Sequence, residues 1–306
     1  MTKEYRLHRT MQESTVVDVN RLTWAEWSSR ETTKRYVSNV PVEIRDINSS
    51  RLLCGIFILS SMLTVTYDTT PFLSITQDLN LEVPEPEQSW KATNAQQWEQ
   101  VSYARRNIQL PTVGDALCHL AFNNSPQIPV SHDRSIWSGF ATTVVMHAVN
   151  IHMWHIMQAT QSYTGFPIEN ATLGHSMVIQ VEQALTRCYT FLTTHQTEKE
   201  LTSESGDSPE IFNCQALLRS AYVRISTGAG SFDRMMLLSE NEDEITGRIQ
   251  TYVQAPQRRN SFLTKAVSKA YGGLLMPITV GFLLVKRTAA LTWSVEHAIA
   301  AWDCGK

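Results

Sequence analysis

Ser208 to Ser226 reads SPEIFNCQALLRSAYVRIS, and this stretch decides the class of fold. Ser208 carries an oxygen that can accept from the free N–H groups at a helix start. Pro209 suits the first helical position, where its missing N–H costs nothing. Cys214, Leu217, Leu218, Ala221, Tyr222 and Ile225 then recur at spacings of three and four, the period of one helix face. A stripe this continuous needs other helices to cover it.

Helical signals extend upstream and downstream. Thr23-x-x-Glu26 has the form of a capping box and opens a helix carrying Trp24, Trp27, Glu31, Lys34 and Arg35 within one arc. RLLCGIFILSSMLTVT, Arg51 to Thr66, predicts a helix apolar enough to be buried on most sides. Thr93-x-x-Gln96 is another capping-box candidate, opening a short helix with Trp98 and Tyr103. Further helices are expected at about 112–122, 133–163 and 176–195. Ser239-x-x-Glu242 is expected to cap the next helix, and two more follow at about 259–271 and 277–302. The polar run TEKELTSESGDS, residues 197–208, reads as a linker. No convincing alternating strand and no internal repeat interrupts the pattern. The expected fold is all-α, an irregular multi-helix bundle.

Composition narrows the function classes. The 306 residues are 42% hydrophobic and 18% charged, too apolar for a generally disordered chain. A net charge of −3 offers no basic excess to neutralise phosphates, so autonomous DNA binding has no electrostatic support. Tyr271 to Val285 is the longest uncharged apolar-rich run and is shorter than the ~20 residues a membrane span needs. The N-terminus has no apolar signal region. Five dispersed cysteines without a C-x-x-C pair fit a reducing compartment.

The local constellations favour scaffolding over chemistry. Gly174-His175-Ser176 resembles part of a nucleophile elbow, but Val178 stands where a small residue is required and no strand precedes it. His152 and His155 share a helix face, while His147 is turned away and no carboxylate or cysteine adjoins them in sequence. Gly228-Ala229-Gly230 lacks the third glycine and the strand of a dinucleotide turn. Glu85, Glu87 and the acidic residues at 240–244 suit solvated or helix-capping roles. The Trp24/Trp27/Glu31/Arg35 face has two readings, a partner surface rich in hot-spot residue types or a core-facing helix with an ion pair at its rim. The second is expected, because amphipathic faces mostly serve packing.

Together these blocks resemble the fungal-specific transcription factor domain, the middle homology region of fungal zinc-finger regulators. The run W-x-x-W-x-x-x-E-x-x-K-R at Trp24, Trp27, Glu31, Lys34 and Arg35 is similar to that family's signature. The similarity continues through LLCGIFILSS, Pro71-Phe72-Leu73, the stretch holding Trp90, Ala92 and Trp98, and ALLRSAYVRIS at Ala216 to Ser226. It ends with Pro277, Gly281 and the W-S-x-x-H of Trp293, Ser294 and His297. Residues 20–303 would form the regulatory domain behind an N-terminal extension of 1–19.

The resemblance implies a nuclear, non-enzymatic regulator of RNA polymerase II transcription, most similar to those that control biosynthetic gene clusters. It supplies no catalytic, metal-binding or DNA-binding residue, and no cofactor. Zinc is expected only in a finger domain not found in this sequence, and DNA contact only through such fingers. Expected partners are the transcription machinery or co-regulators, with a second copy of the chain as a further candidate and no membrane. Residues 37–50 look inserted after Arg35; a retained short intron is one explanation, since every Val37 codon begins GT. A small-molecule binder or pathway enzyme on the same scaffold, and an inactive relic or interaction module, are the competing expectations.

Overall fold

A computed structural model describes residues 46–73, 81–84, 97, 100, 111–122, 138–164, 175–202, 208–227, 234–254, 261–281, 283, 285–287 and 294–305. The described elements are α1 (Asp46–Tyr67), α2 (Val113–Phe122), α3 (Gly139–Thr164), α4 (His175–Thr202), α5 (Ser208–Thr227), a 3₁₀ helix (Arg234–Leu238), α6 (Glu242–Gln254), α7 (Ser261–Val280) and α8 (Val295–Cys304). The only pairing of extended backbone among the described residues is an isolated antiparallel bridge between Glu82 and Thr112. The fold is all-α, as the helical periodicity requires.

The SPEIFNCQALLRSAYVRIS helix, α5, lies at the centre and packs against α3, α4, α7 and α8. Its expected stripe from Cys214 to Ile225 is buried. Ala216, Ser220 and Val223 are buried as well, because neighbours cover its other sides. Helix α3 contacts α1, α2 and α5, so Val144, Val145, Met146, Ala148, Val149 and Ile151 are all completely enclosed. A helix surrounded in this way needs no polar face. Helix α4 buries a single stripe, Val181, Ala184, Leu185, Cys188 and Leu192, against α2 and α5.

Helix ends follow local chemistry. Ser138 Oγ accepts the Ala141 N–H at 3.0 Å and starts α3, several residues after the expected Asp133. Thr112 and Asp115 form a reciprocal capping box at α2, with N–H to oxygen distances of 3.0 and 3.3 Å. Asn241 Oδ1, rather than Ser239, accepts the N–H groups of Asp243 and Glu244, both at 3.2 Å. Ser239 instead accepts the Asn241 N–H at 3.2 Å and so positions the capping residue.

Several expected boundaries shift. Helix α1 begins at Asp46, inside the segment read as an insertion. It is also less enclosed than its composition suggested. Cys54, Phe57, Ser61 and Val65 face the core, but Leu52, Leu59 and Leu63 are 64%, 63% and 56% exposed. Apolar content alone cannot reveal how many neighbours a helix finds. Helix α4 continues to Thr202, so the run read as a linker begins as helix. Its Glu and Lys residues are good helix formers, and polarity by itself does not break a helix. The expected helix over 277–302 is also corrected. Helix α7 carries on past Pro277 to Val280, Gly281 follows at φ +101°, residues 283 and 285–287 are helical again, and α8 runs from Val295. The left-handed φ of Gly281 suits a residue without Cβ.

Candidate functional site

Helix α8 is mostly apolar, yet it sends three titratable side chains inward. Glu296, Ile299, Ala300 and Asp303 are buried at helical spacing on one face, with His297 buried beside them. Each titratable group meets another element, so the site is two polar nodes at the two ends of α8.

At the first node, His147 of α3 is completely buried, with Ser61 of α1 on one side and Glu296 on the other. His147 Nδ1 lies 2.9 Å from Ser61 Oγ, and Nε2 lies 3.3 Å from Glu296 Oε1. An ionised carboxylate can only accept, so Nε2 carries the proton in this contact. Burial by itself would raise the Glu296 carboxyl. The His147 contact, the Ser294 hydroxyl and a backbone N–H outweigh it and hold the carboxyl at about 2. One residue on, the His297 ring stacks on Phe212 of α5 with centroids 4.2 Å apart. Burial, reinforced by the Arg219 guanidinium, lowers the His297 imidazole to about 4 despite the Glu296 charge.

At the second node, the fully buried Asp303 carboxylate collects donors from three directions. Arg224 Nε of α5 donates to Oδ2 at 2.8 Å, and Arg234 Nη2 of the 3₁₀ helix donates to Oδ1 at 2.5 Å. The Ser220 hydroxyl adds a hydrogen bond to Oδ2. Burial would raise the Asp303 carboxyl, but the two guanidiniums and the hydroxyl hold it below the usual range. Arg234 Nη1 also donates to the Val65 carbonyl at 3.3 Å, which ties this node to the end of α1. That end is closed by Asp68 at φ 57°, whose carboxylate accepts the Trp154 indole N–H at 2.5 Å.

The hydroxyl–imidazole–carboxylate order of Ser61, His147 and Glu296 parallels a nucleophile triad. Its hydroxyl is completely buried, so a substrate cannot reach it in this arrangement. The three side chains link α1, α3 and α8.

The sequence expectations fall out unevenly against these nodes. No carboxylate adjoins His147 in sequence; the fold supplies Glu296 from far along the chain. His152 and His155 take no part in either node, and burial lowers both imidazoles. No group of three metal-ligating side chains occurs among the described residues. Ser176 is exposed at the start of α4, whereas Gly174 lies outside the described residues. Gly228-Ala229-Gly230, Glu85, Glu87 and the Trp24/Trp27/Glu31/Lys34/Arg35 face also lie outside them. Glu240, Glu242, Asp243 and Glu244 are exposed at the N-terminal end of α6, where the helix dipole favours them. Asp303, Arg224 and Arg234 went unnoticed in the sequence. The available signal was a carboxylate at each end of an otherwise apolar helix face.

The block holding Ser294 and His297 thus lies in the α8 region fastened by buried charge. Residues 229–305 match the fungal transcription factor C-terminal domain. The similarity is to a transcription regulator, and it takes in the 3₁₀ helix, α6, α7 and α8. Arg234, Glu296, His297 and Asp303 lie within the matched segment; His147, Phe212, Ser220 and Arg224 lie before it. The polar nodes therefore join the matched segment to the remainder of the helical body. Pro277, Gly281 and W-S-x-x-H, which carried part of the family resemblance, fall inside the match, whereas ALLRSAYVRIS falls outside it. No curated protein and no solved structure matches the chain. No helix among the described residues is long and apolar enough to cross a membrane.

Proposed function

We propose that the chain is the regulatory part of a fungal transcription factor, acting in the nucleus on RNA polymerase II transcription of a biosynthetic gene cluster. The observation that carries this reading is the match of residues 229–305 to the C-terminal domain of fungal transcription factors. The helical body to which that segment is bolted supports it. The domain would act through co-regulators, with DNA reached through zinc fingers outside this sequence. It performs no catalytic step and holds no cofactor. The net charge of −3 supports indirect DNA contact, because specific DNA binders neutralise phosphates with clustered cations.

Deleting the gene and measuring cluster transcripts tests the proposal. Loss of the transcripts is the expected result. Intact transcripts with an accumulated pathway intermediate would overturn it in favour of an enzyme, and no change at all in favour of a relic. In vitro, the purified chain should give no sequence-specific electrophoretic shift at ~200 mM salt, where weak phosphate-driven contacts are strongly reduced.

A further inference from the structure

A second polar feature lies away from α8, in a cleft of about 260 Å³ between α4, α5 and α7. It is lined by Glu182, Thr186, Tyr189, Tyr222, Lys265, Ser268 and Lys269. The Lys265 ammonium pairs with the Glu182 carboxylate. Lys269 Nζ instead stands 4.0 Å from the centre of the Tyr189 ring and 5.9 Å from that of Tyr222. Two cations and one carboxylate therefore share the cleft, and aromatic faces balance the second cation only in part. An ammonium has three N–H donors, and ring faces on one side leave donors available to an anion.

The aromatic wall is firmly held. Tyr222 is 5% exposed, its hydroxyl lies 3.2 Å from Thr186 Oγ1, and its ring packs near Phe262. Tyr189 is 39% exposed at the mouth, so one ring is fixed and the other is open to a visitor. The volume is below the ~300–1,000 Å³ of sites for drug-sized ligands, which favours a single ring over a larger cofactor. Placed together, these features select an acid group for Lys269 and a flat apolar body for the tyrosines.

We propose that this cleft binds a small aromatic carboxylate, its acid group on Lys269 and its ring against Tyr189. The site lies where α7, inside the segment that matches the transcription factor domain, meets α4 and α5, which precede that segment. A bound acid would therefore bridge the two parts and bias how they pack. Binding is a property of the purified chain, so its failure would leave the transcriptional reading standing, and failure of that reading would leave the binding result standing.

Titration calorimetry on the full chain with benzoate, acetate and benzyl alcohol tests the proposal. Benzoate should bind in the millimolar range. Acetate, which lacks the ring, and benzyl alcohol, which lacks the charge, should bind at least about tenfold more weakly. Lys269→Met and Tyr189→Leu should each weaken benzoate by about tenfold or more with helical circular dichroism unchanged, while Lys269→Arg keeps most of the affinity. Tyr189→Leu decides the matter if Lys269→Met fails to fold, because Tyr189 is the more open of the two tyrosines. Benzoate binding no tighter than acetate and benzyl alcohol, or unaffected by Tyr189→Leu, overturns the proposal.

Discussion

Replacing Asp303 with alanine should be among the most damaging single changes in this molecule. The aspartate side chain is 0% exposed, and its partners Arg224 and Arg234 are only 11% and 13% exposed. Alanine would leave two guanidiniums in a nearly dry site without the carboxylate that both pair with, while the weaker field of Asp68 still acts on Arg224. Breaking a buried ion pair from one side costs about 3–5 kcal/mol. At ~2.1 cal/mol/K per residue, a chain of this length unfolds with an entropy of about 0.6 kcal/mol/K, so the melting point should fall by about 5–8 °C. Thermal unfolding followed by circular dichroism at neutral pH measures it. A companion variant carrying Asp303→Leu, Arg224→Met and Arg234→Met should recover much of the loss, since it leaves no charge at this node. A fall of less than ~1 °C for Asp303→Ala would show that the node is solvated and would refute the reasoning. So would a companion variant as unstable as the single one, because the loss would then come from packing.

Three further outcomes rest on the same buried contacts and helix ends. His297 titrates near 6.5 when unfolded and at about 4 when folded, so the unfolded chain takes up its proton first and stability falls between those values on acidification. His297→Phe should flatten this part of a pH series of melting points, and an unchanged slope counts against the assignment. Glu296 has the carboxylate sign: its folded value of about 2 lies below the ordinary 4.5, so its contribution is complete above 4.5 and is lost as pH falls towards about 2. Glu296→Gln should lose stability at pH 7 and narrow its gap to wild type in strong acid, as denaturant melts at both pH values would show. Asn241→Ala should cost about 1 kcal/mol by removing the α6 cap, whereas Ser239→Ala should cost less; the reverse order in chemical denaturation would return the capping role to Ser239.

How far the molecule could be read from its residues varied with the kind of force involved. The α5 stripe was legible because six apolar positions at helical spacing can hardly be arranged otherwise. Helix existence followed from the same periodicity, but helix ends did not. Ser239-x-x-Glu242 has the right letters for a cap, yet Asn241 takes the role because the helix begins three residues after Ser239. Residues 197–202, the first half of the run read as a linker, are helical because Glu and Lys are good helix formers and polarity alone does not break a helix. The exposure of Leu52, Leu59 and Leu63 was hidden for the opposite reason: identical apolar letters serve a covered face and an open one.

By itself, the sequence determined that this protein is helical, that α5 belongs in the core, and that its last block resembles a transcription factor domain. These depend on short-range periodicity and on the order of residue types, which one dimension records. Only the tertiary structure decided that His147 meets Glu296, that Asp303 gathers two arginines, and that a lysine sits over two tyrosines in an open cleft. Each of those pairings joins positions tens to more than a hundred residues apart. The field at a buried charge depends on distance through space, and distance along the chain does not encode it.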